Sequence, residues 1–121
     1  LLSTVAGEID FVVPMIPLAS LADFARDHNR LGNDQETAEL HSILDKAYIV
    51  SSPFSRPPLL PPDRTFVIGG KNDRVTPLAH AKRVRDHLGG ELFEMNGAHL
   101  LQIGRTGAFD ELDQRLNRFF L

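Results

Sequence analysis

The chain has 121 residues, 42% of them hydrophobic and 24% charged, with a formal net charge of −3 and no cysteine. That length holds at most one domain, and that composition is ordinary for a globular protein. The charge supplies no basic field for nucleic acid or an anionic membrane, and the missing cysteines remove disulfides, thiolate nucleophiles and cysteine-based zinc sites. A chain without cysteine fits the cytoplasm, which is the expected location. No apolar run approaches the roughly 18 residues that a membrane span needs. The longest, "FVVPMIPLA" at 11–19, carries two prolines. The opening "LLSTVAGEID" has no initiator Met and no basic flank, and it reads as the interior of a larger protein.

In chain order, "IDFVVPMI" at 9–16 has the near-continuous apolar run of a strand buried on both faces. Proline donates nothing to a ladder, so this strand is predicted from Ile9 to Val13, with Pro14 at or beyond its end. Two helices are predicted next. "SLADFARDHNRL" has Ser20 as N-cap; "NDQETAELHSILDKAY" has Asn33 as cap and Glu36 at the capping-box position. Leu40, Ile43, Leu44, Ala47 and Tyr48 share one face of the second. Up to Pro62 the chain carries eight acidic against four basic side chains, and from Asp63 eight against nine. Residues 18–50 are therefore read as an acidic helical insert, with a proline-rich linker at 53–62.

From residue 64 the order is strand ("RTFVI"), turn, helix, strand ("ELFEM"), turn, helix. The first helix has Thr76 as cap, Pro77 in its first turn, Ala81, Val84 and Leu88 on one side, and Gly89 at its exit. The last is predicted from about Ala108, with Phe109, Leu112, Leu116, Phe119 and Phe120 on one face and Asp110 and Glu111 in its first turn. Strands alternating with amphipathic helices imply an α/β fold with a parallel sheet. Three such strands are too few for a sheet that must be covered on both faces, so the chain reads as the C-terminal part of an open α/β sheet.

In open α/β sheets the working residues gather at the carboxyl ends of the strands. After "TFVI" comes "GGKNDRVTP", with Asp73; after "ELFEM" comes "NGAHLLQIG", with His99. If these strands are neighbours, the two side chains face each other. A carboxylate against an imidazole fixes the ring's tautomer and stabilises the imidazolium formed when the ring takes a proton.

Residues 65–120 resemble the C-terminal end of the α/β-hydrolase superfamily. Gly70, Asp73 and Pro77 match its G-x-x-D-x-x-x-P pattern for the acid, and Gly97 and His99 match its G-x-H pattern. Acid before histidine is also that family's order. The resemblance implies a serine hydrolase that cleaves a small-molecule ester, thioester or amide through an acyl-enzyme. His99 is then the general base and Asp73 its orienting acid, with residues 18–50 as a lid-like insert and no cofactor. The nucleophile elbow G-x-S-x-G is absent, since Ser3, Ser20, Ser42, Ser51, Ser52 and Ser55 lack its flanking glycines. The resemblance places the elbow upstream, in an N-terminal part of the same fold that becomes this chain's structural partner. The isolated chain is then expected to be inactive.

Asn72 and Asp63 are fallback acids, and Asp10 lies in a strand. His28 and His41 are read as solvated, and His80 and His87 as surface residues of the helix after Asp73. Arg105 is expected to pin the His99 turn through backbone carbonyls. Phe54, Leu59 and Leu60 belong to a linker, or else line an acyl pocket. No two histidines have the i, i+4 spacing of a helical zinc site, and "GGKN" lacks the frame of a phosphate loop. Two other readings stay open: a non-catalytic binding or assembly module on the same fold, and a Rossmann- or flavodoxin-type sheet, which lacks its G-x-G-x-x-G here.

Overall fold

The computed structural model describes residue 4 and residues 8–121. Its centre is a parallel pair, β1 (Phe66–Gly70) and β2 (Glu91–Met95), in register from Phe66 opposite Glu91 to Gly70 opposite Met95. Residues 12–16 run along the other edge of β1, bridging in parallel at Val12–Thr65 and Met15–Ile68. The described residues therefore form an α/β arrangement whose strands point one way.

Two strand boundaries differ from the sequence expectation. The first segment does not stop before Pro14: the Ile68 N–H donates to the Pro14 carbonyl at 2.9 Å, and the Ile16 N–H to the Ile68 carbonyl at 2.8 Å. Proline removes one donor from the ladder but keeps its acceptor, so pairing skips a rung and resumes. Ile9 and Asp10 lie before the first bridge. The second difference is in β1, which starts two residues later than expected and includes both glycines. Pairing with β2 carries it on, since the Lys71 N–H still reaches the Met95 carbonyl at 3.0 Å.

All five residues of β1 are buried, and its alternating side chains serve two helices. Val67 packs with Ala19 and with Ala81, Val84 and Leu88 of α3 (Leu78–Leu88). Phe66 and Ile68 pack with Met95 and with Ala108 of α4 (Arg105–Phe120). A strand feeding both faces leaves no polar side, which explains why "TFVI" reads as a continuous apolar run.

Helix α1 (Leu21–Asp27) starts as expected, with the Ser20 hydroxyl accepting from the Asp23 N–H. Regular α2 (Thr37–Ala47) begins at Thr37, yet the reciprocal bonds of a capping box are present one turn earlier. Asn33 Oδ1 accepts from the Glu36 N–H at 3.1 Å, and Glu36 Oε2 accepts from the Asn33 N–H at 3.2 Å. The expected apolar face of α2 exists and packs in part against α1, with Leu44 half-buried, but Leu40, Ile43 and Tyr48 remain exposed. Helix α4 starts at Arg105, directly after Gly104 at φ 87°. Asp110 and Glu111 therefore lie beyond its first turn, where the helix dipole gives them little. No helix among the described residues is long and apolar enough to cross a membrane.

The insert is fastened to α3 by polar bonds. Contrary to the surface reading, His80 is buried: its Nδ1 accepts from the Ala19 N–H at 3.1 Å, and its Nε2 meets Asp27 Oδ2 at 3.2 Å. A nitrogen that accepts from a backbone N–H carries no proton, so Nε2 does, and it donates to Asp27. His41 is not simply solvated either; its Nε2 lies 2.8 Å from Asp23 Oδ1, while Arg83 pairs with the other oxygen of Asp23. Burial pushes the Asp23 carboxyl up, but the His41 hydrogen bond and the Arg83 and Arg26 charges outweigh it and hold it below the usual range. His87 is half-buried, with Nε2 3.0 Å from the Arg56 carbonyl and its ring edge-on to Phe54, which ties the proline-rich linker down.

Candidate functional site

Because β1 and β2 are adjacent and parallel, the loops that follow them leave the same edge of the sheet. Two glycines let these loops close on each other. A Cβ on Gly70 would lie 2.8 Å from the Gly97 carbonyl oxygen. One on Gly97 would lie 2.6 Å from the Ile103 nitrogen and 2.7 Å from the Leu101 oxygen. Any side chain at either position forces backbone apart. The Asn72 N–H then donates to the Gly97 carbonyl at 3.1 Å, and Asn72 Nδ2 to the Asn96 carbonyl at 3.1 Å. Asn72 is thus a fastener between the loops, not a fallback acid. It does the pinning expected of Arg105, whose guanidinium makes no hydrogen bond within the described residues.

This clasp brings Asp73 and His99 together, with Nδ1 of the imidazole 3.0 Å from Asp73 Oδ2. The Asp73 side chain has no exposed surface, whereas that of His99 is 36% exposed. Asp73 Oδ1 accepts from the Val75 N–H at 2.8 Å and the Thr76 N–H at 2.9 Å. Its Oδ2 accepts from the Thr76 hydroxyl at 3.1 Å. Burial pushes the Asp73 carboxyl up, but the backbone donors of Thr76 and Val75, with His99 and the Thr76 hydroxyl, more than reverse it and hold it below the usual carboxylate range. An ionised Asp73 accepts only, so His99 Nδ1 carries the proton. The lone pair is then on Nε2, which bonds to nothing among the described residues. Such a ring can take a proton at Nε2 while the buried carboxylate steadies the imidazolium.

Thr76 is the residue that the sequence reading misassigned. Helix α3 begins at Leu78 with Pro77 in the cap position and no side-chain cap, and the Thr76 hydroxyl serves Asp73 instead. It also lies 3.3 Å from His99 Nδ1. The signal was an Asp followed two and three residues later by free backbone N–H groups ahead of a proline, the spacing of an Asx turn. His28 was missed as well: its Nε2 lies 2.8 Å from the Val75 carbonyl.

The other candidates lie elsewhere. Asp63 sits in the short turn Pro62–Arg64, and Asp10 is exposed, 3.7 Å from Arg64. Leu60 is buried and Phe54 packs against the α3 side of the sheet, while Leu59 is exposed. Ser20 caps α1, and Ser42, Ser51, Ser52 and Ser55 belong to the insert and linker; none bonds His99, and Ser3 lies outside the described residues. Among the described residues no group of three or more His, Asp or Glu side chains is gathered that would hold a metal ion. A cavity of about 210 Å³ lies within the insert and another of about 290 Å³ between α1 and α3; neither is lined by Asp73 or His99. No family model, curated protein or solved structure matches this chain.

Proposed function

We propose that Asp73 and His99 are the acid and base of a serine-hydrolase site on an α/β-hydrolase-like sheet. The reaction class is cleavage of an ester, thioester or amide through an acyl-enzyme. His99 Nε2 takes the proton of an attacking serine hydroxyl and returns it to the leaving group; Asp73 holds the ring and stabilises the imidazolium. The observation that carries this reading is one geometry. A fully buried carboxylate, held by backbone N–H groups, bonds Nδ1 of a part-exposed imidazole whose Nε2 is left free.

No serine among the described residues bonds Nε2, and no serine of the sequence has the flanking glycines of an elbow, so the reading assigns the nucleophile, and with it the oxyanion donors, to sequence outside residues 1–121. Residues 18–50 take the place of a lid beside the Asp73 loop, linked to it through His28. The test is turnover of activated esters by the product of the complete gene. His99→Ala is expected to lower kcat by at least about a thousandfold while leaving the far-ultraviolet spectrum unchanged. Undiminished turnover in that variant contradicts the proposal.

A second reading has the same fold as a non-catalytic binding or assembly module. It is favoured by the lack of any nucleophile at Nε2 among the described residues. The two separate on sequence alone: a G-x-S-x-G after a buried strand in the complete gene product belongs to the enzyme, and its absence to the module.

A further inference from the structure

We infer that His28 is a positioning residue through which the docked helical insert holds the Asp73 carboxylate in line with His99, an inference that rests on the acid–base reading of that pair. His28 follows α1 directly and packs against Phe24, with ring centroids 4.4 Å apart and the planes tilted by 51°. A carbonyl only accepts, so at 2.8 Å from the Val75 oxygen His28 Nε2 carries a proton and donates it.

The Val75 carbonyl and the Thr76 N–H belong to one peptide group, and that N–H donates to Asp73 Oδ1 at 2.9 Å. His28, the 75–76 peptide, Asp73 and His99 thus form an unbroken chain of hydrogen bonds. Donation into a peptide's carbonyl orients its plane and strengthens its N–H as a donor. The Val75 N–H, one peptide earlier, reaches the same oxygen at 2.8 Å.

Within the described residues, His28 is the one side chain from outside the two site loops that bonds residues 71–76. Val75 is 41% exposed while Thr76 is buried, so the carbonyl that His28 meets lies on the open side of the loop and the N–H on the Asp73 side. The insert, in contrast, has other fasteners: Ala19 and Asp27 on His80, and Asp23 on Arg83. Losing His28 therefore leaves the insert docked and loosens the 75–76 peptide, which is then held by the bonds of Val75 and Thr76 to Asp73.

Nuclear magnetic resonance on the product of the complete gene tests this through the downfield Nδ1 proton of His99 and amide exchange at Val75 and Thr76. In His28→Ala the two amides are expected to exchange roughly five- to tenfold faster, about the effect of one net hydrogen bond, and the Nδ1 proton signal to broaden or vanish. His28→Gln, whose amide also donates to the Val75 carbonyl, is expected to restore both. Unchanged signals in His28→Ala, or no recovery in His28→Gln, overturn the inference. If the unsubstituted protein shows no Nδ1 signal that Asp73→Asn abolishes, the Asp73–His99 reading fails first and the inference with it. If the coupling is observed in a protein without hydrolase activity, the coupling stands and the hydrolase reading falls alone.

Discussion

A carboxylate with no exposed surface stays ionised only where donors replace the water it has lost. Asp73 has four of them: two backbone N–H groups, a threonine hydroxyl and an imidazole. Its folded-state pKa lies below the ordinary value of 3.8. The sign of the linkage follows. The stability this group contributes is fully present above 3.8, declines as pH falls toward the depressed folded value, and is gone below it. Asp23, also held low, adds to the same acid limb. Asp73→Asn is therefore expected to flatten the loss of stability below about pH 4, read from urea midpoints across that range. Thr76→Val removes one buried donor and is expected to cost about 1–2 kcal/mol in the same assay, with Thr76→Ser recovering most of it. Asp73 and His99 were legible in the sequence because each follows an apolar strand with a glycine at a fixed offset. Thr76 was not, because Thr-Pro at a helix start is also a cap signal, and only the position of the carboxylate decides which partner the hydroxyl takes.

At the scale of elements, the site depends on two loops pressed together at a glycine pair. Gly97→Ala is expected to destabilise the fold by roughly 1–3 kcal/mol, measured by thermal unfolding, since its Cβ meets fixed backbone on the facing side of the turn. The same crowding displaces His99 from Asp73, so ester turnover is expected to fall further than stability does. Strands and helices were legible as types, because periods of 2 and 3.6 survive in the apolar pattern. Their ends were less so. Glycines carry no pattern and so hid the last two rungs of β1, and Pro14 masked a ladder that resumes beyond it. His80 was misread as a surface residue although it lies one and two helical turns before Val84 and Leu88, on the buried stripe of α3. Its burial was readable there, but its partners, Ala19 and Asp27, come from the distant insert and were not.

At the scale of the whole molecule, the described fold leaves large apolar side chains in water. Leu100 is 90% exposed and Leu101 72%, both in the loop that carries His99, and Leu40, Ile43 and Tyr48 of the α2 face are exposed as well. The 121-residue chain is accordingly expected to bind the dye ANS while still unfolding in one cooperative transition. An absent ANS signal contradicts that description of its surface. The parallel order of residues 12–16, β1 and β2 places the Asp73 and His99 loops at one sheet edge, and the α/β class was legible from the alternation of strands and helices. The seating of the insert was not legible, since it depends on a His–Asp pair, an Arg–Asp pair and a backbone N–H bond to His80 between residues 53 to 61 positions apart.

The central claim, that Asp73 and His99 serve a serine nucleophile, meets its most direct test in fluorophosphonate labelling of the complete gene product, with the modified peptide located by mass mapping. The account predicts stoichiometric labelling of one serine outside residues 1–121, lost in His99→Ala and much slowed in Asp73→Asn. No labelling of the unsubstituted protein, or labelling at a serine of this chain, contradicts it.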